Sequence, residues 1–374
     1  MRILTVSAFF AGHGGGIELV AGNLAQALAE RGHDSFWAAA DLDPAPALDG
    51  VTAAPLRSFD PIEKLAGLPM PLITLAARRE LDRQVAAADA VIIHDALYMP
   101  SLAAASSARR HAKPWLLIQH IGAIPYSSMA LRLMMKAATR LVTRPMLRRA
   151  PQLVFISDAI HREFADVARA HPAQVIFNGV DSNLFHPGMA EERATLRNTL
   201  HASGFSEILL FVGRFVERKG LAVLEALARR RPQSLFLLAG GGPIVPDGWA
   251  LDNVRTLGKC SQSQLADLYR VADALLLPST GEGFPLVIQE ALASGLPVIC
   301  GEDSAAADPG AASYLRSVAI NLTQPALTAD RFNDAINAAR LGPNFEAASY
   351  AAANYNWAVG AERIEALLAE LGQS

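Results

Sequence analysis

The chain has 374 residues, 51% apolar and 18% charged, with a formal net charge of −3. That length suits two domains of ordinary size, and the near-neutral charge gives no global pull toward nucleic acid. Cys260 and Cys300 show no metal-type spacing and read as buried thiols of a reducing cytosol, while no apolar run of about twenty residues predicts a spanning helix and MRILTVSAFF lacks a signal-peptide cleavage pattern.

Arg2 to Ser7 reads as a buried first strand. His13-Gly14-Gly15-Gly16-Ile17-Glu18 follows as a glycine turn, then Leu19 to Gly32 as an amphipathic helix leading to a strand near Phe36-Trp37. Gly15 and Gly16 would let a phosphate approach the backbone, or serve packing alone. Asp41-Leu42-Asp43 has the D-x-D form that binds a metal with the nucleotide in some transferases. Within the Pro-rich stretch DLDPAPALDG it reads as a chance surface loop, and no metal ligand is expected. Ala86 to His94 and Lys113 to Gln119 give further strands, placing His94 and His120 at strand ends. In an open α/β sheet the ligand crevice lies there; the plain alternative is a histidine that caps or packs a loop.

Met129 to Ala150 is basic and contains no acid. Arg132, Lys136, Arg140 and Arg144 recur every four residues among Leu131, Leu133, Met134, Met135, Leu141 and Val142. The pattern predicts a basic amphipathic helix, interrupted at Pro145, of the kind that lies on anionic membrane surfaces. The alternative is an ordinary helix with a solvated basic face. Leu153 to Ile156 and Val175 to Phe177 read as strands. Asn178-Gly179 and Pro187-Gly188 then mark an irregular connection. The expected domains are 1–182 and 183–345, with a closing segment 346–374.

Ile208 to Val212 begins the second half as a strand, followed by the turn Gly213-Arg214-Phe215-Val216-Glu217-Arg218-Lys219-Gly220. Cleaving a sugar–phosphate bond builds negative charge on the leaving diphosphate. Arg214 as a fork and Lys219 as a point charge would stabilise it, and Arg218 reads as solvent-facing. Strands at Leu235 to Ala239 and Val254 to Leu257 follow, the latter leading into Gly258-Lys259. Ala272 to Leu277 is a strand, and Gly281-Glu282-Gly283-Phe284-Pro285-Leu286 turns into a helix that stops at Gly295. A helix start favours an anion, and Glu282 and Glu290 beside one would need hydroxyl donors. A nucleotide sugar supplies both, with its hexose near Glu282 and its ribose near Glu290. The bland reading is one capping acid and one on an exposed helix face.

Glu282 and Glu290, with seven residues between them and Gly-Phe-Pro after the first, resemble the signature of the family-four retaining glycosyltransferases of GT-B fold. ALASGLPVIC, GGGIE with RGHD, GRFVERKG, NGVD with F-x-P, and the aromatic-led C-terminal helix after Asn354-Tyr355-Asn356-Trp357 resemble the same family. The resemblance covers nearly the whole chain. It implies an α/β protein of two doubly wound, parallel-sheet, Rossmann-like domains facing across a cleft, with the last helix crossing back. It implies transfer of a hexose, with retention, from a UDP- or GDP-sugar to a hydroxyl acceptor, without metal or other cofactor.

By the same resemblance Gly15 and Gly16 face the donor diphosphate, and His120 lies near the transferred sugar. Arg214 and Lys219 hold the diphosphate, and Gly258 and Lys259 border the base. Glu282, Gly283, Phe284, Pro285, Leu286 and Glu290 surround the donor. GEDSAAADPGAAS after Cys300 departs from the family's glycine-rich turn. The basic row adds a lipid-linked or exopolysaccharide acceptor and a cytoplasmic, peripheral place on the inner face of the cell membrane. The competing functions are a nucleotide-sugar epimerase, which needs no acceptor, and a non-catalytic nucleotide-sugar-binding scaffold.

Overall fold

A computed structural model describes residues 1–66, 68–122 and 128–373. Two compact units emerge: Met1–Gly179 with the segment from Trp357 onward, and Val180–Asn356. The first unit holds β1 (Arg2–Phe9), β2 (Asp34–Ala40), β3 (Val51–Leu56), β4 (Ser58–Phe59), β5 (Leu72–Ile73), β6 (Ala90–His94), β7 (Trp115–Gln119), β8 (Leu153–Phe155) and β9 (Ala173–Val175). The main sheet runs β3-β2-β1-β6-β7-β8-β9, every pair parallel, while β4 and β5 pair antiparallel beside it. Ile3, Val6, Ile92, Leu117 and Val154 are buried and lie in near-continuous apolar runs, because helices cover both faces of such a sheet.

The second unit repeats the plan with β10 (Glu207–Val212), β11 (Ser234–Ala239), β12 (Val254–Gly258), β13 (Ala274–Leu277), β14 (Val298–Gly301) and β15 (Leu315–Val318). Its parallel sheet runs β12-β11-β10-β13-β14-β15. In each unit the chain winds outward on one side, then returns to the strand beside its start. Neighbouring connections there leave to opposite faces and open a crevice at the strands' carboxyl ends. The switch points lie between β1 and β6, and between β10 and β13.

Several elements differ from the sequence reading. β6 starts only at Ala90, because the helix Leu75–Ala87 takes the residues before it. β9 is displaced toward the N-terminus, although Ile176 N still donates to Phe155 O at 3.0 Å. The chain leaves the first unit at 179 rather than 182 and returns at 357 rather than 346. The helix Phe345–Asn354 belongs to the second unit, where it packs on the helix Leu286–Ala293. Gly179 has no room for a Cβ, which would overlap the Trp357 indole. The departure after Cys300 forms a short helix, Glu302–Ala305, and a 3-10 turn, Pro309–Tyr314. Between them Asp308 accepts the hydroxyls of Tyr350 and Tyr355 at 2.8 and 2.5 Å.

The basic segment is an α-helix over Met129–Ala138, a π turn over Thr139–Thr143 and a final turn over Arg144–Leu147. The distortion thus precedes Pro145, which has no N–H to donate to the preceding turn. Among the described residues no helix is long and apolar enough to cross a membrane.

Candidate active site

At the second unit's switch point two loops lie on one another. Gly220 has φ +75°, and a Cβ there would overlap the carbonyl oxygen of Pro278. Thr280 N donates to Arg218 O at 3.0 Å. Across this seam Lys219 Nζ and Arg218 Nη1 each stand 2.8 Å from Glu282 Oε1. Lys219 is 9% exposed, and the Glu282 side chain 12%. Arg218 therefore does not simply face solvent. Its pairing depends on loop packing, and only its adjacency to Lys219 hinted at it. Arg214 is exposed and, among the described residues, in no ion pair. Two cations against one carboxylate leave a positive charge at this seam, which suits an anion.

Pro285 is the N-cap of the helix Leu286–Ala293. Phe284 is buried edge-on against Tyr355, with ring centroids 5.6 Å apart, and Gly283 is half-buried. Glu290 lies on no exposed face. It is 6% exposed, and its Oε2 accepts the Tyr269 hydroxyl at 2.8 Å. Burial pushes its carboxyl up to about 7, against the bond from Tyr269. Gly258 and Lys259 are exposed at the end of β12, where Gly258 has φ +68° and its carbonyl accepts from Gly240 N at 2.7 Å.

The raised Glu290 carboxyl has a signed consequence. The native state keeps this proton between pH 4.5 and about 7, where the unfolded chain has released it. Its contribution to stability is full below 4.5 and is lost as pH rises through about 7. Urea unfolding of Glu290→Gln, which cannot ionise, is expected to fall less between pH 5 and pH 8 than that of the wild type. Equal slopes would show that Glu290 is ionised when folded.

In the first unit Gly15 is the N-cap of the helix Gly16–Glu30. A Cβ on Gly15 would overlap the Glu18 carboxylate, whereas one on Gly16 would meet nothing within 4 Å. Gly15 thus makes room for a side chain of its own helix, and Gly16 is the position with space for a ligand. Glu18 is buried and its pKa is raised, chiefly by that burial. Beside it His13 stacks on Phe9 at 3.8 Å, and its Nδ1 lies 3.0 Å from Asp43 Oδ2. The D-x-D loop therefore anchors a histidine.

His120 lies where the sequence reading places it, at the end of β7, and is paired. Its Nε2 is 2.8 Å from Nδ1 of His94, which ends the adjacent β6, and the rings stack at 5.0 Å. The next residue, Asp95, has φ +59°. Its Oδ1 accepts from Gln119 Nε2 at 2.7 Å and, at 3.4 Å, from the amides of His120 and Ile121. The bend after β6 thereby holds the end of β7. Burial pushes Asp95 up to about 8 and His94 down to about 3.

The basic row divides. Arg132, Lys136 and Arg140 are exposed beside Leu133, Met134 and Leu141, and among the described residues none of the three is in an ion pair. Arg144 instead binds Asp166 at 2.5 Å and lies 5.4 Å from the Phe164 ring centre, which removes it from the row.

Residues 14–184 match the model of Glycosyltransferase Family 4, and residues 206–335 that of Glycosyl transferases group 1. The chain belongs to this glycosyltransferase family. A D-inositol 3-phosphate glycosyltransferase of Kineococcus radiotolerans is 36% identical over 40% of this chain and 39% of its own length. A GDP-mannose-dependent alpha-mannosyltransferase of Corynebacterium glutamicum is 34% identical over 36% and 33%. The chain thus matches only about two fifths or less of these relatives' length. Among solved structures, sucrose-phosphate synthase of Thermosynechococcus elongatus covers 99% of both chains with a TM-score of 0.74 at 20% identity. Anabaena HepE in complex with UDP-glucose covers 99% and 100% with a TM-score of 0.70 at 19% identity. These likenesses concern the fold.

Proposed function

We propose that the protein transfers a hexose from a UDP- or GDP-sugar to a hydroxyl acceptor, with retention and without a metal. The observation that carries this reading is the Lys219–Glu282 pair at the switch point between β10 and β13, with exposed Arg214 on the same loop as Lys219. A diphosphate draws Lys219 toward itself, and Arg214 adds a forked contact. Glu282 then accepts hexose hydroxyls while Arg218 keeps it in place. Backbone amides at the start of the helix Leu286–Ala293 add donors to the phosphates. Glu290 takes the ribose hydroxyls with Tyr269 behind it. In the first unit Gly16 gives the phosphates room and His120 meets the transferred sugar. The leaving phosphate oxygen takes the acceptor's proton. The related proteins' names include GDP-mannose and UDP-glucose as partners, which keeps both bases open.

The test is binding and slow hydrolysis across UDP-, GDP- and dTDP-sugars in the presence of a chelator. One donor turned over under those conditions supports the reading. A requirement for added divalent cation removes its metal-free part, and binding without turnover favours a scaffold.

The acceptor in this reading is lipid-linked, and the chain works at the inner face of the cell membrane. Its support is the exposed row Arg132, Lys136 and Arg140 alternating with Leu133, Met134 and Leu141. Each cation near an anionic surface contributes about 1 kcal/mol. Changing all three to Glu is expected to abolish sedimentation with anionic vesicles while leaving donor hydrolysis intact. Unchanged sedimentation would exclude this surface.

A further inference from the structure

The polar cluster at the ends of β6 and β7 holds one hydrogen-bond question that its surroundings answer. His94 Nδ1 and His120 Nε2 are 2.8 Å apart, so one of the two nitrogens carries the proton between them. Both rings are buried, His94 completely and His120 to 5% exposure. Burial holds both well below the usual histidine range, and both are therefore neutral near pH 7. A neutral ring carries one N–H, so assigning the shared proton assigns both tautomers.

His94 Nε2 decides the matter. It is buried and, among the described residues, has no hydrogen-bond partner. Were His120 the donor, His94 would carry its single proton on that nitrogen, a buried N–H with no acceptor. Were His94 the donor, the same nitrogen would be a bare lone pair. Orphaned buried N–H groups are the rarer of the two situations in folded proteins. His94 is also anchored for this role, since its own carbonyl accepts from Ser101 Oγ at 2.9 Å.

We propose that His94 is a positioning residue that donates its Nδ1–H to His120 Nε2 and thereby fixes His120 as the Nδ1–H tautomer. His120 then offers the site a donor and has no free basic nitrogen. Its task is to hold an oxygen of the sugar, and it takes no proton from the acceptor. This inference deepens the glycosyl-transfer reading and rests on it for its functional part. The tautomer itself is a property of the free protein.

The experiment uses nitrogen-15 histidine labelling of the whole chain without substrate, followed by donor turnover. Wild type is expected to show His120 protonated on Nδ1. His94→Asn places an amide N–H near the original Nδ1 and is expected to keep both tautomer and turnover. His94→Leu removes the donor, releases His120 to the Nε2–H form, and lowers kcat by about tenfold with little change in donor KM. A wild-type His120 protonated on Nε2 overturns the proposal, and so does an unaltered tautomer in the leucine variant. Should that variant fail to fold, the wild-type spectrum alone decides. The expected tautomers with no turnover of any donor would leave the proposal standing and remove the transferase reading instead.

Discussion

Lys219→Ala is expected to lower donor turnover by about 10²–10³-fold, the usual cost of deleting one fixed charge or donor at a developing anion. Lys219 is 9% exposed, in a low-dielectric slot where a point charge acts more strongly than in water. Its stem passes over Gly213, 3.8 Å from the Cβ position there, and its charge meets Glu282 Oε1 at 2.8 Å. Stability should change little, because Glu282 keeps Arg218 as a partner at 2.8 Å. The separation of kcat from KM matters. A loss in kcat assigns Lys219 to the leaving group, whereas a rise in KM alone would assign it to uniform donor binding. Turnover within threefold of wild type would remove Lys219 from the machinery.

Gly240→Ala is expected to destabilise the second unit by about 2–4 kcal/mol. Gly240 has φ +142°, and a Cβ would overlap the carbonyl oxygen of Gly213 and come within 3.3 Å of the Phe215 ring. The turns after β10 and β11 are joined through this point. Gly213 N donates to Ala239 O at 3.0 Å, Phe215 N to Gly241 O at 2.8 Å, and Ile244 N to Phe215 O at 3.1 Å. Separating them moves the loop bearing Arg214, so activity should fall together with stability. Calorimetry should show a fall in Tm of roughly 5–15 °C. Gly241→Ala, whose Cβ meets nothing within 4 Å, is the control and should lie within about 0.5 kcal/mol of wild type. Equal behaviour of the two variants would contradict the packing described.

The apolar strand runs, the glycine and proline turns and the residues at strand ends were legible without coordinates. Each is a local consequence of burial on both sheet faces or of a required backbone angle. Arg214, Lys219 and Glu282 stood out in turns after strand ends, and Glu290 through the resemblance of its spacing from Glu282 to the family signature. Glu290 did not reveal its burial, since the helix Leu286–Ala293 is apolar nearly all round and only its packing decides what a residue there meets. Tyr269 as its partner lies on a different helix, 21 residues away.

What the amino-acid order determined by itself was the repeated α/β plan, the glycine positions and the identities of the charged groups near the strand ends. These follow from short-range sterics and hydrophobic periodicity, which neighbours along the chain suffice to express. What tertiary structure alone decided was how those groups are committed. It gave Arg218 to Glu282, Arg144 to Asp166, Asp43 to His13, and His94 to His120. Each pairing joins separate elements brought together by sheet order and loop packing, and the strength and proton state of a charged group depend on that environment.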